Sequence, residues 1–308
     1  MSKRLALFLF IAFFITACSN PLPPSVVTIP EDGLIVLGVI AGSPIDDVRS
    51  LQPLADALAG ELSQYGITGG QVRVAASSAE MAELLASGEV DLYFDSVYPA
   101  LLVSEQCDAK FILRGLQFGR PEVHSVIFAS QSSGLKSLDE LPGKMIVMHT
   151  PDSTAGFFLP SAFLAERGHV LTGKDNFSAS VSPDEVGFLF SGSDEETLRA
   201  VISGSAAVGV VDDYHFDVVF QPEVTQQVVE LGRTEALPSQ VVLASPGLSE
   251  SYLSVLAQSL TSLHESESGR AALGAFQTSR FEAFPNGAEM ALRRMQEMLA
   301  FVKKIPLP

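Results

Sequence analysis

Residues 148–168 read MHTPDSTAGFFLPSAFLAERG, and they hold the densest group of side chains suited to chemistry. An apolar, β-like run over 144–148 leads past His149 into a turn at Thr150, Pro151 and Asp152. Ser153, Thr154, Ala155 and Gly156 then open a helix. The first N–H groups of a helix lack intrahelical partners and its dipole adds partial positive charge there, so two hydroxyls and a glycine suit an oxyanion. The same residue types cap helices whatever the function, so capping stands beside anion binding. Pro160, about two turns in, cannot donate to the Gly156 carbonyl; that local cost weighs towards a functional helix.

Other candidates fall at the ends of strands. Asp95, Ser96 and Tyr98 follow an apolar run over 90–94, and Ser43 follows one over 34–40. In open α/β sheets ligands bind outside the carboxyl ends of strands, which puts Ser43, Asp95 and Tyr98 where a site belongs. Tyr98 beside Pro99 reads equally as an interface aromatic with a wet hydroxyl. Asp212-Asp213-Tyr214-His215 ends the run 206–211, and its carboxylates are either ligand contacts or a helix cap. Asp194 follows Ser191-Gly192-Ser193 at the start of another expected helix.

The elements that position these residues alternate short apolar strands with amphipathic helices, the signature of an α/β fold. Strands are expected at 34–40, 71–76, 90–94, 110–117, 123–129, 144–148, 177–181, 206–211, 227–231 and 240–244. Helices are expected from 51 to about 66, at 78–86, after 153, after 193, and at 251–264, 269–276 and 287–303. Capping boxes at Ser137 to Glu140 and Ser193 to Glu196 mark two helical starts. Gly119-Arg120-Pro121 separates two strands and reads as a crossing into a second lobe, with the three C-terminal helices returning to pack on the first.

The chain has 308 residues, 47% of them hydrophobic and 18% charged, enough for two compact lobes. Acidic residues number 36 against 19 basic, a net charge of −17, which argues against nucleic acid as a partner. An anionic ligand gains no long-range steering from such a chain, but charges beyond roughly 8 Å are screened at physiological salt, leaving local dipoles to decide.

Met-Ser-Lys-Arg precedes an unbroken apolar run over residues 5–17, too short at about 1.5 Å per residue to span a hydrocarbon core of about 30 Å. It reads as an export signal. Ile15-Thr16-Ala17-Cys18 closes it and resembles a bacterial lipobox, so residues 1–17 are expected to be cleaved and Cys18 lipidated. Residues 18–33, rich in proline and small residues, form a tether. Cys107 then remains the only thiol, which excludes a structural disulfide and a cysteine-based zinc site.

Several segments in order resemble the substrate-binding proteins of ABC importers for phosphate, phosphite and phosphonate. They are Gly88-Glu89-Val90-Asp91 with Tyr98, Leu138-Asp139-Glu140-Leu141-Pro142-Gly143-Lys144, Asp152-Ser153-Thr154-Ala155-Gly156 with Pro160, Ser191-Gly192-Ser193, and Gly204 leading to Gly209-Val210-Val211-Asp212. The resemblance implies a two-lobe periplasmic-binding-protein fold of type II, with a ligand cleft between lobes joined by two hinge strands. Residues 34–120 and 236–308 would form the first lobe and 121–235 the second. It also implies that the helix opening holds the ligand's anionic oxygens. The chain departs from the pattern in three places. Ala155 stands where the family usually has a second serine, Asp194 where a histidine often follows Ser-Gly-Ser, and Ala207 where the family has an aspartate.

The function so implied is capture of a small oxyanion or zwitterion for an ABC permease and ATPase. The protein would be a monomer on the extracytoplasmic face of a bacterial membrane, with no cofactor, no metal and no catalysis. The expected ligand contacts are Ser43, Asp95, Tyr98, His149, Ser153, Thr154, Ala155, Gly156, Asp194 and Asp212. A sensor module signalling to a membrane partner uses the same closed form, and sulfonates or thiamine-precursor-like molecules are alternative ligands. A hydrolase built on His149 or His215 with Asp212 has neither a nucleophile elbow nor metal-ligand spacing behind it.

Overall fold

The computed structural model describes residues 33–308, except Ala41, Ser43 and the side chains of Pro44, Ile45 and Asp47. The expectations for the leader, for Cys18 and for Ser43 lie outside the described residues. Fourteen strands are described: β1 (Leu34–Ile40), β2 (Gly69–Ala75), β3 (Leu92–Asp95), β4 (Lys110–Gln117), β5 (Glu122–Val123), β6 (Ser125–Ser130), β7 (Met145–Met148), β8 (Leu171–Gly173), β9 (Val186–Phe190), β10 (Val208–Asp212), β11 (Val228–Arg233), β12 (Leu237–Pro238), β13 (Gln240–Ala244) and β14 (Thr278–Glu282). The helices are α1 (Pro44–Glu61), α2 (Ser78–Ser87), α3 (Val97–Cys107), α4 (Leu159–Glu166), α5 (Asp194–Ile202), α6 (Pro222–Thr225), α7 (Glu250–Ser262), α8 (Glu267–Ala275) and α9 (Ala288–Val302). Among the described residues no helix is long and apolar enough to cross a membrane.

The strands form two six-stranded sheets of like design. The first runs β14-β4-β13-β3-β1-β2, the second β11-β6-β10-β7-β9-β8. In each, four or three adjacent strands are parallel and the remainder antiparallel: β2, β1 and β3 in the first, β8, β9, β7 and β10 in the second. Parallel strands covered by helices on both faces need apolar side chains throughout. Val186 to Phe190 reads VGFLF and meets that need, which is why it forms β9. The expected strand at 177–181 is instead a loop. Its alternation of small polar and apolar residues suits one buried face only, and Val181 folds down over Gly187, where a Cβ would lie 2.6 Å from its methyl group.

Two segments cross between the sheets, after β4 and before β13. They pair with each other as the antiparallel ladder β5–β12, Leu237 opposite Val123 and Pro238 opposite Glu122. The Ser239 hydroxyl donates to the Arg120 carbonyl at 2.6 Å, tying one crossing to the other.

The C-terminal helix departs from expectation. The chain leaves the first sheet at β14, but α9 packs chiefly against α4, beside the second sheet, with lesser contacts to α3 and β4. Its buried face is Met295, Met298, Leu299 and Val302. Arg294 forms ion pairs with Glu166 on α4 and with Glu235 in a crossing segment, while Lys303 pairs with Glu105 on α3 at 2.6 Å. The tail continues to Pro306, whose carbonyl accepts the Gly173 N–H of β8 at 3.0 Å. Apolar spacing showed that this helix has a buried face without showing which sheet it meets.

The largest apolar core runs without a break from Tyr93, Val97 and Ala100 beside the first sheet to Phe157, Phe158 and Ile146 beside the second. Two further cores lie behind the sheets, one under α1 and α7, the other under α5. The two halves are therefore packed together along one side of the cleft.

Candidate functional site

The helix expected after Ser153 begins with a π turn, Thr154–Phe158, before α4. Pro160 explains it. An α-helical proline leaves the carbonyl four residues back without a donor, and in π register the carbonyl five back is left too. Here Gly156 and Ala155 are those residues. The Gly156 carbonyl accepts the His149 N–H at 3.2 Å, and the Ala155 carbonyl accepts the Ser125 hydroxyl at 2.6 Å. The helix start is thus bonded to the ends of β7 and β6. Gly156 permits this approach, since a Cβ there would sit 2.3 Å from the His149 Cβ.

Ser153 is the N-cap, its hydroxyl accepting the Gly156 N–H at 2.9 Å. Thr154 does something else. Its hydroxyl accepts the Tyr98 N–H at 2.8 Å and donates to the Ser96 hydroxyl at 2.9 Å, so it joins the opening of α3 to the opening of the π turn. These bonds cross from the first sheet's side to the second's, and Thr154 is only 4% exposed. The Tyr98 ring stacks on Phe158 with centroids 4.8 Å apart, which makes it an aromatic of the packed interface.

Beside this junction lies a cavity of about 420 Å³. Of the expected contacts, Asp95, His149, Ser153, Thr154, Ala155 and Asp212 line it; Tyr98, Gly156 and Asp194 do not. Ser96 and Asp213, noted at strand ends but not among the expected contacts, also line it, as do Gly42, Ser78, Phe118, Arg120 and Tyr214, which were not read as site residues. Ser78 and Ser96 stand at the openings of α2 and α3 in the first half and Ser153 caps the π turn of the second, so helix openings from both halves face one space. A serine between a strand and a helix was the available signal for Ser96. Phe118 and Tyr214 carried none: one follows a strand of each sheet, and their rings stack on each other at the cavity wall, centroids 5.0 Å apart.

The wall is rich in carboxylates. The Asp95 Oδ2 accepts the Tyr93 hydroxyl at 2.5 Å and its Oδ1 accepts the Ser96 N–H at 2.6 Å. Burial outweighs these bonds and pushes Asp95 up to about 6. Asp213, 1% exposed, is paired with Arg120 and accepts the His124 N–H, so it fixes a crossing segment. Asp212 accepts the His215 backbone N–H at 2.8 Å through Oδ1, while its Oδ2 lies 2.6 Å from the His215 Nδ1. Burial opposes the charge on Asp212, but the bonds from His215 prevail and hold it low. The same hydrogen bond raises His215. Asp194 approaches from the start of α5, its Oδ2 3.4 Å from the same Nδ1, and burial raises it.

A cleft between two α/β halves, joined by paired crossings and ringed by helix openings, is the geometry of a solute trap. Residues 38–286 match the family described as ABC transporter, phosphonate, periplasmic substrate-binding protein. The chain belongs to this family. Among curated proteins it is similar to the phosphate-import protein PhnD of Mycolicibacterium smegmatis, 27% identical over 215 residues, or 67% of this chain. The matched region spans 64% of that protein's length.

Solved structures show the same fold. XAC2383 from Xanthomonas citri, in a structure bound to ATP, matches with a TM-score of 0.78 and 23% identity over 88% of this chain and 98% of its own. PhnD1 from Prochlorococcus marinus, in complex with methylphosphonate, matches at 0.62 and 17% over 89% and 99%. The two-lobe periplasmic-binding-protein fold is therefore the fold of this chain, and its family is one of transport binding proteins.

Proposed function

We propose that this chain is a lipid-anchored, extracytoplasmic solute-binding protein that delivers a small phosphonate-like ligand to an ABC permease and its ATPase. The two units that close are residues 34–120 with the strands after 236, and residues 121–235, hinged at β5 and β12. The observation that carries the reading is the cavity of about 420 Å³ with helix openings from both halves on its wall. Such openings favour an anion, and the volume lies within the range of small-molecule sites.

The charge of the wall narrows the ligand. Asp95, Asp152 and Asp212 line the same cavity, and Arg120 is already paired with Asp213. Two carboxylates near a dianion at low effective dielectric repel it by several kcal/mol. A monoanion, or a zwitterion with its anion at Ser153, Thr154 and Ala155 and its ammonium near Asp212, meets both ends of the site. Calorimetric titration in chelator with phosphate, phosphite, methylphosphonate, an aminoalkylphosphonate and taurine tests this. The aminoalkylphosphonate should bind tightest, and Asp212→Asn should weaken it roughly ten- to hundredfold, since a charged hydrogen bond contributes about 1.5–3 kcal/mol. Tightest binding of phosphate dianion, unchanged in Asp212→Asn, refutes the zwitterion while leaving the binding-protein reading in place.

A further inference from the structure

Asp194, Asp212 and His215 each offer one ligand atom, and the three atoms lie within 4.8 Å of one another. They come from two elements: Asp194 opens α5 after β9, while Asp212 ends β10 and His215 follows it. We propose that these three side chains form a divalent transition-metal site on the cavity wall, with zinc as the best-matched ion. The inference goes beyond the binding-protein reading and does not depend on which organic ligand the cleft holds.

The donor set suits zinc, which takes imidazole nitrogen and carboxylate oxygen at about 2.0–2.2 Å in tetrahedral geometry. Ligand atoms in such a shell are about 3.3 Å apart. Here the Asp194 Oδ2 is 3.4 Å from the His215 Nδ1, already at that spacing. The Asp212 Oδ2 is 2.6 Å from the same nitrogen, so that contact must open by less than about 1 Å.

The surrounding bonds hold the donors in place. The Asp212 Oδ1 is fixed by the His215 backbone N–H, which leaves Oδ2 directed at the shared point. The Ser193 hydroxyl caps α5 through the Glu196 N–H and so sets the position of Asp194. Side-chain exposures of 12% for Asp194, 21% for Asp212 and 29% for His215 leave a path in for the ion. Three protein ligands leave a fourth position, and Asp212 and His215 both line the cavity, so that position faces the ligand space.

Three ligands with an open fourth position would give the wall a second mode. Without metal, the two carboxylates favour a ligand that brings its own cation. With the ion bound, the wall gains positive charge, and a dianionic oxyanion can complete the coordination shell. Nδ1 binds the ion only when free of hydrogen, so the hydrogen it shares with Asp212 moves to Nε2 of the neutral ring, or leaves to solvent from the imidazolium.

The test is calorimetric titration of detergent-purified full-length protein with Zn²⁺ alone, no phosphonate present. Wild type should bind one ion, and Asp194→Asn and His215→Gln should each weaken it roughly tenfold or more, because losing even a supporting partner of a metal ligand costs 10–100-fold. Cys107→Ser should bind as wild type does, which separates this site from the thiol. Thermal melts without metal show whether each variant is folded, and Asp212→Asn supplies a third ligand deletion. Zinc binding of equal affinity in wild type and all three ligand variants, or no saturable binding by wild type, overturns the site. Neither result bears on capture of the organic ligand, which is measured in chelator.

Discussion

Replacing Thr154 by valine keeps nearly the same shape but removes the hydroxyl that bonds the opening of α3. Two hydrogen bonds are lost, to the Tyr98 N–H and the Ser96 hydroxyl. On the proposed closure both bonds join the two halves, so they form only in the closed state. Each such bond contributes a net ~0.5–1.5 kcal/mol, and the Tyr98 N–H is left without its acceptor, so closure should lose about 1–3 kcal/mol. That is roughly a 5- to 150-fold loss of affinity for any ligand that binds the closed form. Ser153→Ala provides the contrast in the closed fraction and not in affinity, because Ser153 is a proposed anion contact whose bond to the Gly156 N–H lies within its own helix and exists open or closed. It should lower unfolding stability by about 1 kcal/mol, as cap deletions do. Calorimetry with the best ligand of the panel, small-angle scattering for the closed fraction, and thermal melts separate the two. If Thr154→Val binds and closes as wild type does while melting lower, its hydroxyl is a local structural bond and the reasoning about closure fails.

Other perturbations have outcomes that follow from the same coordinates. Asp95 is pushed from an ordinary 3.8 up to about 6, so the folded protein binds its proton more tightly than the unfolded chain. The associated stability is present below the unfolded value and lost as pH rises through about 6. Relative to Asp95→Asn, wild type should therefore lose up to about 3 kcal/mol between pH 4 and 8 in denaturant unfolding, and a flat difference would count against it. Leu299→Ala, at a site 1% exposed on α9, should cost about 2–5 kcal/mol in the same assay. A loss under 1 kcal/mol would mean that α9 contributes little to holding the halves together. Cys18→Ser should convert a membrane-associated protein into one released without detergent, and a wild type already soluble with an unmodified Cys18 would remove the anchor from the proposal.

Local pattern was enough for most of the elements. Leu34–Ile40 coincides with the expected strand to the residue, because six apolar side chains about Gly38, between Gly33 and Gly42, read as a buried strand. At the expected capping box the Glu140 carboxylate accepts the Ser137 N–H at 3.1 Å. What failed was arrangement that depends on distant partners. The segment 177–181 has β-like residues but meets no neighbouring strand, whereas β14, not anticipated, exists because it pairs with the edge of β4. The docking of α9 on α4 is likewise set by Glu166 and Glu235, which are 128 and 59 residues from Arg294.

The site divides along the same line. Ser153 was legible as a cap because capping is a three-residue interaction, and the structure keeps it so. Pro160 was read as a cost that hinted at function. The cost is instead met by His149 and Ser125, two residues whose proximity no spacing reveals, and the result is a π turn that brings Thr154 to the cleft. Thr154 then serves as the bond between halves, a role that needs Ser96 and Tyr98 56 to 58 residues away. The carboxylates follow suit. Asp212 and His215 are three apart and could be seen together, but Asp194 joins them only because α5 starts beside the end of β10. A helix opening suited to an anion lies on one wall, while three acid–base side chains converge nearby. On the proposed reading the cleft's occupant supplies positive charge, whether as part of the ligand or as an ion bound before it.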